Sequence, residues 1–179
     1  MRRQALSVAG ILLLAALLPA AATTLRRMSV DDLIASSTAI VRATAAPVSS
    51  FQRNGMIYTT YRLAVSATLK GSPLSAVELA VPGGDFKGLH QAIAGAPVFR
   101  PGVEYVVFYW TGPSGTNYVV GLCQGSFEVH TDTSGEVVLQ RRTMSSEVFG
   151  ADGAHTPDHG LTLRWRDLQA QVAQQSGRQ

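Results

Sequence analysis

The most constraining feature of this 179-residue sequence is an uninterrupted apolar run from Val106 to Trp110. β-Branched and aromatic residues dominate the run, and apolar residues at every position indicate a strand that is covered on both faces. Residues 111–117 are rich in Gly, Pro, Ser and Asn, and residues 118–123 are again mostly apolar. This pattern predicts a long antiparallel hairpin between Phe99 and Phe127, with a central strand onto which the other elements pack.

Other strands are indicated by short apolar or alternating stretches bounded by turn residues. They cover residues 38–45, 57–69, 76–81, 126–130 and 136–139. Pro47 cannot donate to a strand ladder and is expected to end the first of them, and Asn54-Gly55 is typical of a tight hairpin turn. The stretch 57–69 alternates most regularly, which predicts one buried face and one face that is mostly in contact with water.

Two helices are predicted, one near each end of the chain. Ser29 is a suitable N-cap for a short helix, because Asp32 lies three residues later and can complete a capping box. Near the C-terminus, Thr162 is a candidate N-cap for a second helix. Its apolar residues recur at helical spacing: Leu161, Trp165, Leu168 and Val172.

The N-terminus has the layout of a secretory signal peptide. Residues 1–4 are basic and polar, residues 5–18 are apolar, and Ala20-Ala21-Ala22 supplies an A-x-A cleavage site. We expect cleavage after Ala22 and a secreted or periplasmic protein that does not stay inserted in a membrane. A core helix or a retained membrane anchor are the alternatives; the anchor is favoured by Arg26-Arg27, because basic residues there hinder translocation.

The expected organisation is a signal peptide over 1–22, a single β-barrel domain over 23–175 and a frayed tail over 176–179. Cleavage removes Arg2 and Arg3 but no acidic residue, so the formal charge falls from +3 to +1. A nearly neutral chain gives no electrostatic reason to bind nucleic acid. Cys123 is the sole cysteine, so no intrachain disulfide can form, and we interpret it as a small buried side chain in a strand. A monomer is expected.

Common catalytic motifs are missing from the sequence. It contains no G-x-S-x-G, H-E-x-x-H, P-loop, G-x-G-x-x-G or C-x-x-C pattern, so we expect no enzyme activity and no cofactor. One polar cluster contains potential metal ligands: Asp152, His155, Asp158 and His159. Pro157 interrupts a helix that would bring them to one face, so a solvated loop is the favoured interpretation.

The strand pattern resembles netrin-like domains and the related metalloprotease inhibitors. The resemblance rests on four short stretches: residues 39–43, 60–71, 77–79 and 102–108. It implies an OB-type five-stranded barrel with a C-terminal helix. Together with the elements indicated above, we expect a mainly β fold, an OB-like antiparallel barrel of five to seven strands with a short N-terminal helix and a C-terminal helix. The resemblance also implies an exported protease as partner. Those inhibitors chelate zinc through an N-terminal cysteine, however, and this chain has no cysteine there.

A loop over residues 83–97 is the candidate binding segment. It shows no strand period, is rich in glycine, and loops of this length in a compact domain are often functional. The candidate contact residues are Phe86, Leu89, His90 and Ile93, joined by Phe51 and Met56 from the neighbouring hairpin tip. A lid that plugs the barrel end is the alternative.

The sequence therefore favours an exported, non-enzymatic binding module that recognises a secreted protease or another envelope protein. A metal-dependent hydrolase using His155 and His159, and a purely structural envelope protein, are the two other functions that remain open.

Overall fold

The computed structural model describes residues 25–143, 148–149, 155–156 and 158–177. The expected signal peptide and its cleavage site lie outside these ranges. Within them, no helix is both long and apolar enough to cross a membrane.

The described chain is mainly β, with two helices. Its strands are β1 (Leu25–Arg26), β2 (Ala39–Arg53), β3 (Met56–Lys70), β4 (Ala76–Pro82), β5 (Gly84–Phe86), β6 (Leu89–Gln91), β7 (Glu104–Thr111), β8 (Asn117–Val119), β9 (Ser126–Thr131), β10 (Val137–Arg141), β11 (Val148–Phe149), β12 (His155–Thr156) and β13 (Leu161–Arg164). The helices are α1 (Val30–Ser36) and α2 (Trp165–Ser176), and a 3₁₀ turn covers Leu122–Gly125.

Eight of these strands form one antiparallel sheet that curls into a half-barrel. Its order is β13-β10-β9-β7-β2-β3-β4, with β8 paired to β7 beside this path. β5 and β6 pair with each other, while β1, β11 and β12 form a separate three-stranded sheet. The prediction of a mainly β, antiparallel, barrel-like fold with a C-terminal helix is confirmed, whereas the OB-like topology and the number of five to seven strands stay predictions.

A hydrophobic core covers each face of the sheet, and β7 contributes side chains to both cores. Tyr105, Val107 and Tyr109 enter a core with β2, β3 and β4, whereas Val106 and Phe108 enter a second core beneath α1 and α2. All five side chains are buried. The continuous apolar run therefore marks a central strand, as predicted, because successive side chains of a strand point to opposite faces.

Local signals located α1 and the tight turns correctly. Ser29 caps α1, and its side chain and that of Asp32 form the reciprocal capping box. Asn54 and Gly55 both have positive φ, as a two-residue hairpin turn between β2 and β3 requires. Asp132 accepts three hydrogen bonds from Ser134 and Glu136 in the turn between β9 and β10.

Three expected element boundaries were wrong. β2 continues past Pro47 to Arg53, because beyond Thr44 it pairs only with β3 and a register shift follows Pro47. Leu161–Arg164 is a strand paired with β10, so the C-terminal helix begins at Trp165 and Thr162 does not cap it. Cys123 lies half-buried in the 3₁₀ turn, not in a strand, because β8 ends at Val119.

Candidate functional site

An apolar cleft of about 490 Å³ opens at one end of the half-barrel. Three segments form it: the β2–β3 hairpin with β4, the chain after β6, and the β7–β8 hairpin with the turn that follows. Its lining consists of Met56, Tyr58, Ala80, Val81, Pro82, Ile93, Pro97, Trp110, Gly112, Pro113, Ser114, Tyr118, Val119 and Leu122. We call it the aromatic cleft, because three of its walls are aromatic rings.

Four neighbouring rings form an aromatic row along the cleft. Phe51 stacks on Tyr58 with ring centroids 5.4 Å apart, and Trp110 lies 5.3 Å from Tyr118. Tyr58 meets Tyr118 edge to face at 6.3 Å, which joins the two pairs. None of the four is buried, and Trp110 keeps 40% of its surface exposed.

The row follows from the register of two hairpins. Phe51 lies opposite Tyr58 in the β2–β3 ladder, and Trp110 lies opposite Tyr118 in the β7–β8 ladder. Aromatic cross-strand pairs stabilise a hairpin by about 0.2–1 kcal/mol relative to alanine pairs. Gly112 donates to the carbonyl of Thr116 and closes the second hairpin. Each pair is thus fixed by local pairing, and the barrel's curl brings the two pairs together.

A seam separates β4 from β8 beneath the row. Gly83 donates to Ile57 and Val65 donates to Ser75, so the alternation of antiparallel pairs leaves the backbone groups of Glu78 and Ala80 pointing away from β3. The side-chain amide of Asn117 donates to the Glu78 carbonyl at 2.9 Å and bridges the seam. The Asn117 side chain thus makes the hydrogen bond to β4 that the backbone of a paired strand would otherwise make.

A side pocket of about 390 Å³ adjoins the cleft, and Ala80 and Ser114 line both. It contains two charged side chains of opposite sign. Arg53 is engaged: its guanidinium lies 5.5 Å from the Phe51 ring centroid and donates to the Tyr118 hydroxyl. The exposed Glu78 carboxylate makes no hydrogen bond or ion pair within the part of the chain that the structure describes.

The 83–97 segment is not the strandless loop that its sequence indicates. β5 and β6 form a hairpin with Lys87 and Gly88 at its tip, both at positive φ. Its base is held by the Gln91 side chain, which accepts from Ile57 N–H at 2.7 Å, and by Thr59, which donates to Gly83. The base of the hairpin is therefore anchored on β3. The high glycine content of the segment does not make it a free loop.

The structure brings together only part of the predicted contact set. Met56 and Ile93 line the aromatic cleft, and Phe51 stands at one end of the aromatic row. Phe86 is half-buried with Lys87 over its ring, and Leu89 is 58% exposed. His90 is exposed and lies 2.8 Å from the Asp85 carboxylate across the small hairpin.

Sequence reasoning missed the three aromatic residues of the cleft wall: Tyr58, Trp110 and Tyr118. Trp110 was interpreted as the last residue of a buried strand, although it is exposed. The available signal was the position of Trp110 and Tyr118 on either side of a Gly-Pro-Ser-Gly turn, since such residues face each other in a hairpin.

The candidate metal ligands do not form a described metal site. The Asp158 carboxylate is buried and accepts two hydrogen bonds from the Arg141 guanidinium, at 2.7 and 2.9 Å. The Asp158 carboxylate is therefore not part of a solvated loop, which corrects the favoured interpretation of this segment. His159 is exposed, while the side chains of Asp152 and His155 lie outside the described residues. Among the described residues, no three potential ligands cluster.

A smaller polar pocket of about 220 Å³ contains Cys123. Its charged groups are largely paired: Glu128 contacts Arg100 at 2.6 Å and Arg142 at 3.0 Å. Burial raises the pKa of the Cys123 thiol despite the nearby Arg141 guanidinium. A protonated thiol is a weak nucleophile, so Cys123 is not the activated group that covalent catalysis needs.

Comparison with known proteins found no matching family model, curated protein or solved structure. The resemblance to netrin-like domains stays a prediction.

Proposed function

We propose that this protein is an exported, non-enzymatic binding module that holds a protein partner in the aromatic cleft. The single observation that carries the proposal is the cleft itself, an apolar concavity of about 490 Å³ with three incompletely buried aromatic rings in its wall and a fourth, Phe51, stacked on Tyr58 beside it. Concave apolar sites with a few polar groups are the usual form of ligand sites, and exposed aromatic residues often dominate binding energy.

The 83–97 segment supports the same proposal. Ile93 and Pro97 belong to the cleft wall and also line a second, smaller pocket beside His90 and Gln91. Leu89, near the hairpin tip, exposes more than half of its surface. An anchored base with an exposed apolar tip suits a contact loop, because little order has to be gained when the partner binds.

Export and the type of partner rest on the sequence. The signal-peptide layout supports a location outside the cytoplasm, where a secreted protease or another envelope protein is the partner implied by the netrin-like resemblance.

Site-specific photo-crosslinking tests the proposal. A photoreactive phenylalanine analogue is placed at position 110 in the cleft, at 89 on the hairpin, or at 74 as a control, in the full chain expressed in the producing cells. Leu74 is the matched control because it is 46% exposed and lies in the turn before β4, outside the cleft. We expect positions 110 and 89 to label the same exported protein and position 74 to label none.

The labelled partner is then purified, and its affinity is measured against variants that keep the fold. Trp110→Ala should weaken binding by more than about tenfold, as expected of an aromatic anchor, and Leu74→Ser should leave it unchanged. Equal labelling from all three positions, or unchanged affinity of the Trp110→Ala variant, would contradict the proposal.

A further inference from the structure

We propose, resting on the function proposed above, that the aromatic cleft takes a proline-rich, extended segment of the partner that carries a basic residue beside its prolines. The inference deepens the assignment of the site by naming the chemistry of its occupant. It rests on the arrangement of the rings, on the hydrogen-bonding groups left in the cleft, and on a rim carboxylate that has no partner among the described residues.

The rings pack against one another in a bent row and do not form one flat platform. Phe51 and Tyr58 are nearly parallel, at 14°, and Trp110 and Tyr118 are tilted by 30°, so the members of each pair cover one another's faces. The two pairs meet at 64°, and the cleft opens where they meet. A pyrrolidine ring packs well against such an aromatic-lined cleft wall, and a polyproline II segment presents its rings in a preformed conformation that loses little entropy on binding.

Two polar side chains of the cleft wall are able to donate hydrogen bonds, which matches a backbone that mostly accepts. Trp110 has an indole N–H, which can only donate, and Tyr58 has a hydroxyl. Neither group makes a hydrogen bond to any residue described in the structure. A proline-rich segment lacks N–H groups at its prolines, and its carbonyls have no internal partners.

The alternative of an added β-strand fits less well. A strand pairing with β4 would need the outward backbone groups of Glu78 and Ala80, but the Asn117 amide already bonds the Glu78 carbonyl. The addition would have to break this bridge and widen the seam. A polyproline II segment makes no such demand on the edge of β4.

Charge at the rim indicates a basic neighbour. Arg53 is held by the Phe51 ring and the Tyr118 hydroxyl, whereas the Glu78 carboxylate in the adjoining side pocket is unpaired among the described residues. Arg53 has no described carboxylate partner either, but these two contacts fix its position. Arg62 lies opposite Glu78 in the β3–β4 register without a described ion pair between them. Glu78 is therefore the rim carboxylate that can bind a cation. A lysine or arginine next to the prolines complements it.

A single-tryptophan reporter tests this chemistry. The chain has two tryptophans, so Trp165→Phe in the full chain leaves Trp110 to report on the cleft, and its melting temperature is checked first. The titrant is a capped peptide of about ten residues that repeats Pro-Pro-Leu and contains one arginine. Matched peptides replace every proline by alanine, or the arginine by glutamate.

We expect a saturable change in Trp110 emission with the proline-rich peptide, and binding at least about tenfold weaker for the alanine peptide. Glu78→Gln should weaken binding of the arginine peptide by about two- to fivefold, the range for an exposed ion pair, and should remove its preference over the glutamate peptide. Asp167→Asn, an exposed carboxylate on α2, is the matched control and should change nothing.

Equal binding of the proline and alanine peptides, or no response of Trp110 to either, would overturn the inference. The function proposed above has its own test: if crosslinking from position 110 succeeds while the peptides fail, the cleft binds a partner of another chemistry. If crosslinking and peptides both fail, the cleft is not the binding site.

Discussion

Phe108 and Trp110 lie two positions apart on the same strand, but their side chains differ in burial. Phe108 is fully buried beneath the helices and lies 5.7 Å from the Phe127 ring, while Trp110 is 40% exposed and packs mainly on Tyr118. Both residues look like core residues in the sequence. The comparison between this helix-covered region and the open aromatic end shows that an apolar side chain becomes a surface feature where no element is available to cover it.

Truncating each of the two side chains is the strongest test of the comparison. Phe108→Ala should lower the free energy of unfolding by about 3–5 kcal/mol, because it removes apolar contacts and leaves a cavity. Trp110→Ala should cost only about 1–2 kcal/mol, since it loses one aromatic pair at a partly exposed position. Urea unfolding followed by circular dichroism measures both. Similar losses would mean that the cleft is part of the core.

A buried ion pair tests whether the covered region also depends on polar contacts. Arg141 lies two residues beyond the buried Leu139 on β10, and its pair with Asp158 is shielded from water. Asp158→Ala should cost about 3–5 kcal/mol of unfolding free energy, because the Arg141 charge stays buried without this partner. Arg142→Ala is the control and should cost less than about 1 kcal/mol, since that side chain is largely exposed. Equal effects would show that Asp158 is solvated.

Two glycines sharpen the description of the open end. Gly84 has φ +121°, and a Cβ there would lie 2.1 Å from Thr59 Oγ1, which bonds Gly83. Gly84→Ala should cost about 2–3 kcal/mol from backbone strain and loss of that hydrogen bond. Gly88→Ala at the tip meets no atom within 4 Å and should cost about 1 kcal/mol. Thermal unfolding compares the variants, and equal losses would mean that the hairpin base is not anchored.

The smallest expected effect is a pH dependence from Glu104. The hydrogen bond from Arg42 lowers the pKa of Glu104 below its ordinary value, and Ser66 adds a second bond. A carboxylate with a lowered native pKa stabilises the fold above its unfolded pKa, and this contribution is lost as the pH falls through the native pKa. Wild type should exceed Glu104→Gln by about 1 kcal/mol or less near pH 7, and the difference should shrink towards about pH 3. A difference that grows on acidification would contradict the ion pair.

Local patterns predicted those elements whose causes are local. The Ser29–Asp32 capping box, the Asn54-Gly55 turn and the turn at Asp132 each depend on residues within a few positions. The apolar run of β7 also predicted its strand correctly, because a strand between two cores needs apolar side chains on both faces. Residues 161–164 were misassigned, since Leu161 fits a helical spacing with Trp165 and Leu168 as well as it fits a strand.

The candidate site was predicted only in outline. Met56 and Ile93 were found because they stand near turns, but Tyr58, Trp110 and Tyr118 were not assigned to a site. Their contact joins hairpins separated by about one third of the chain, and no single-sequence pattern indicates which rings meet. The burial of Asp158 was not predicted for the same reason, because its partner Arg141 lies on β10, away from it in the sequence.

The sequence by itself determined that this chain forms hairpins around a doubly covered central strand, with a capped helix near one end, because turn chemistry and side-chain alternation act over a few residues. Tertiary structure alone decided where the half-barrel stays open, which apolar side chains remain exposed there, and that two aromatic pairs join across the β4–β8 seam. Those outcomes depend on the curl of the sheet and on the reach of the helices, which arise from the sum of many weak contacts between distant residues.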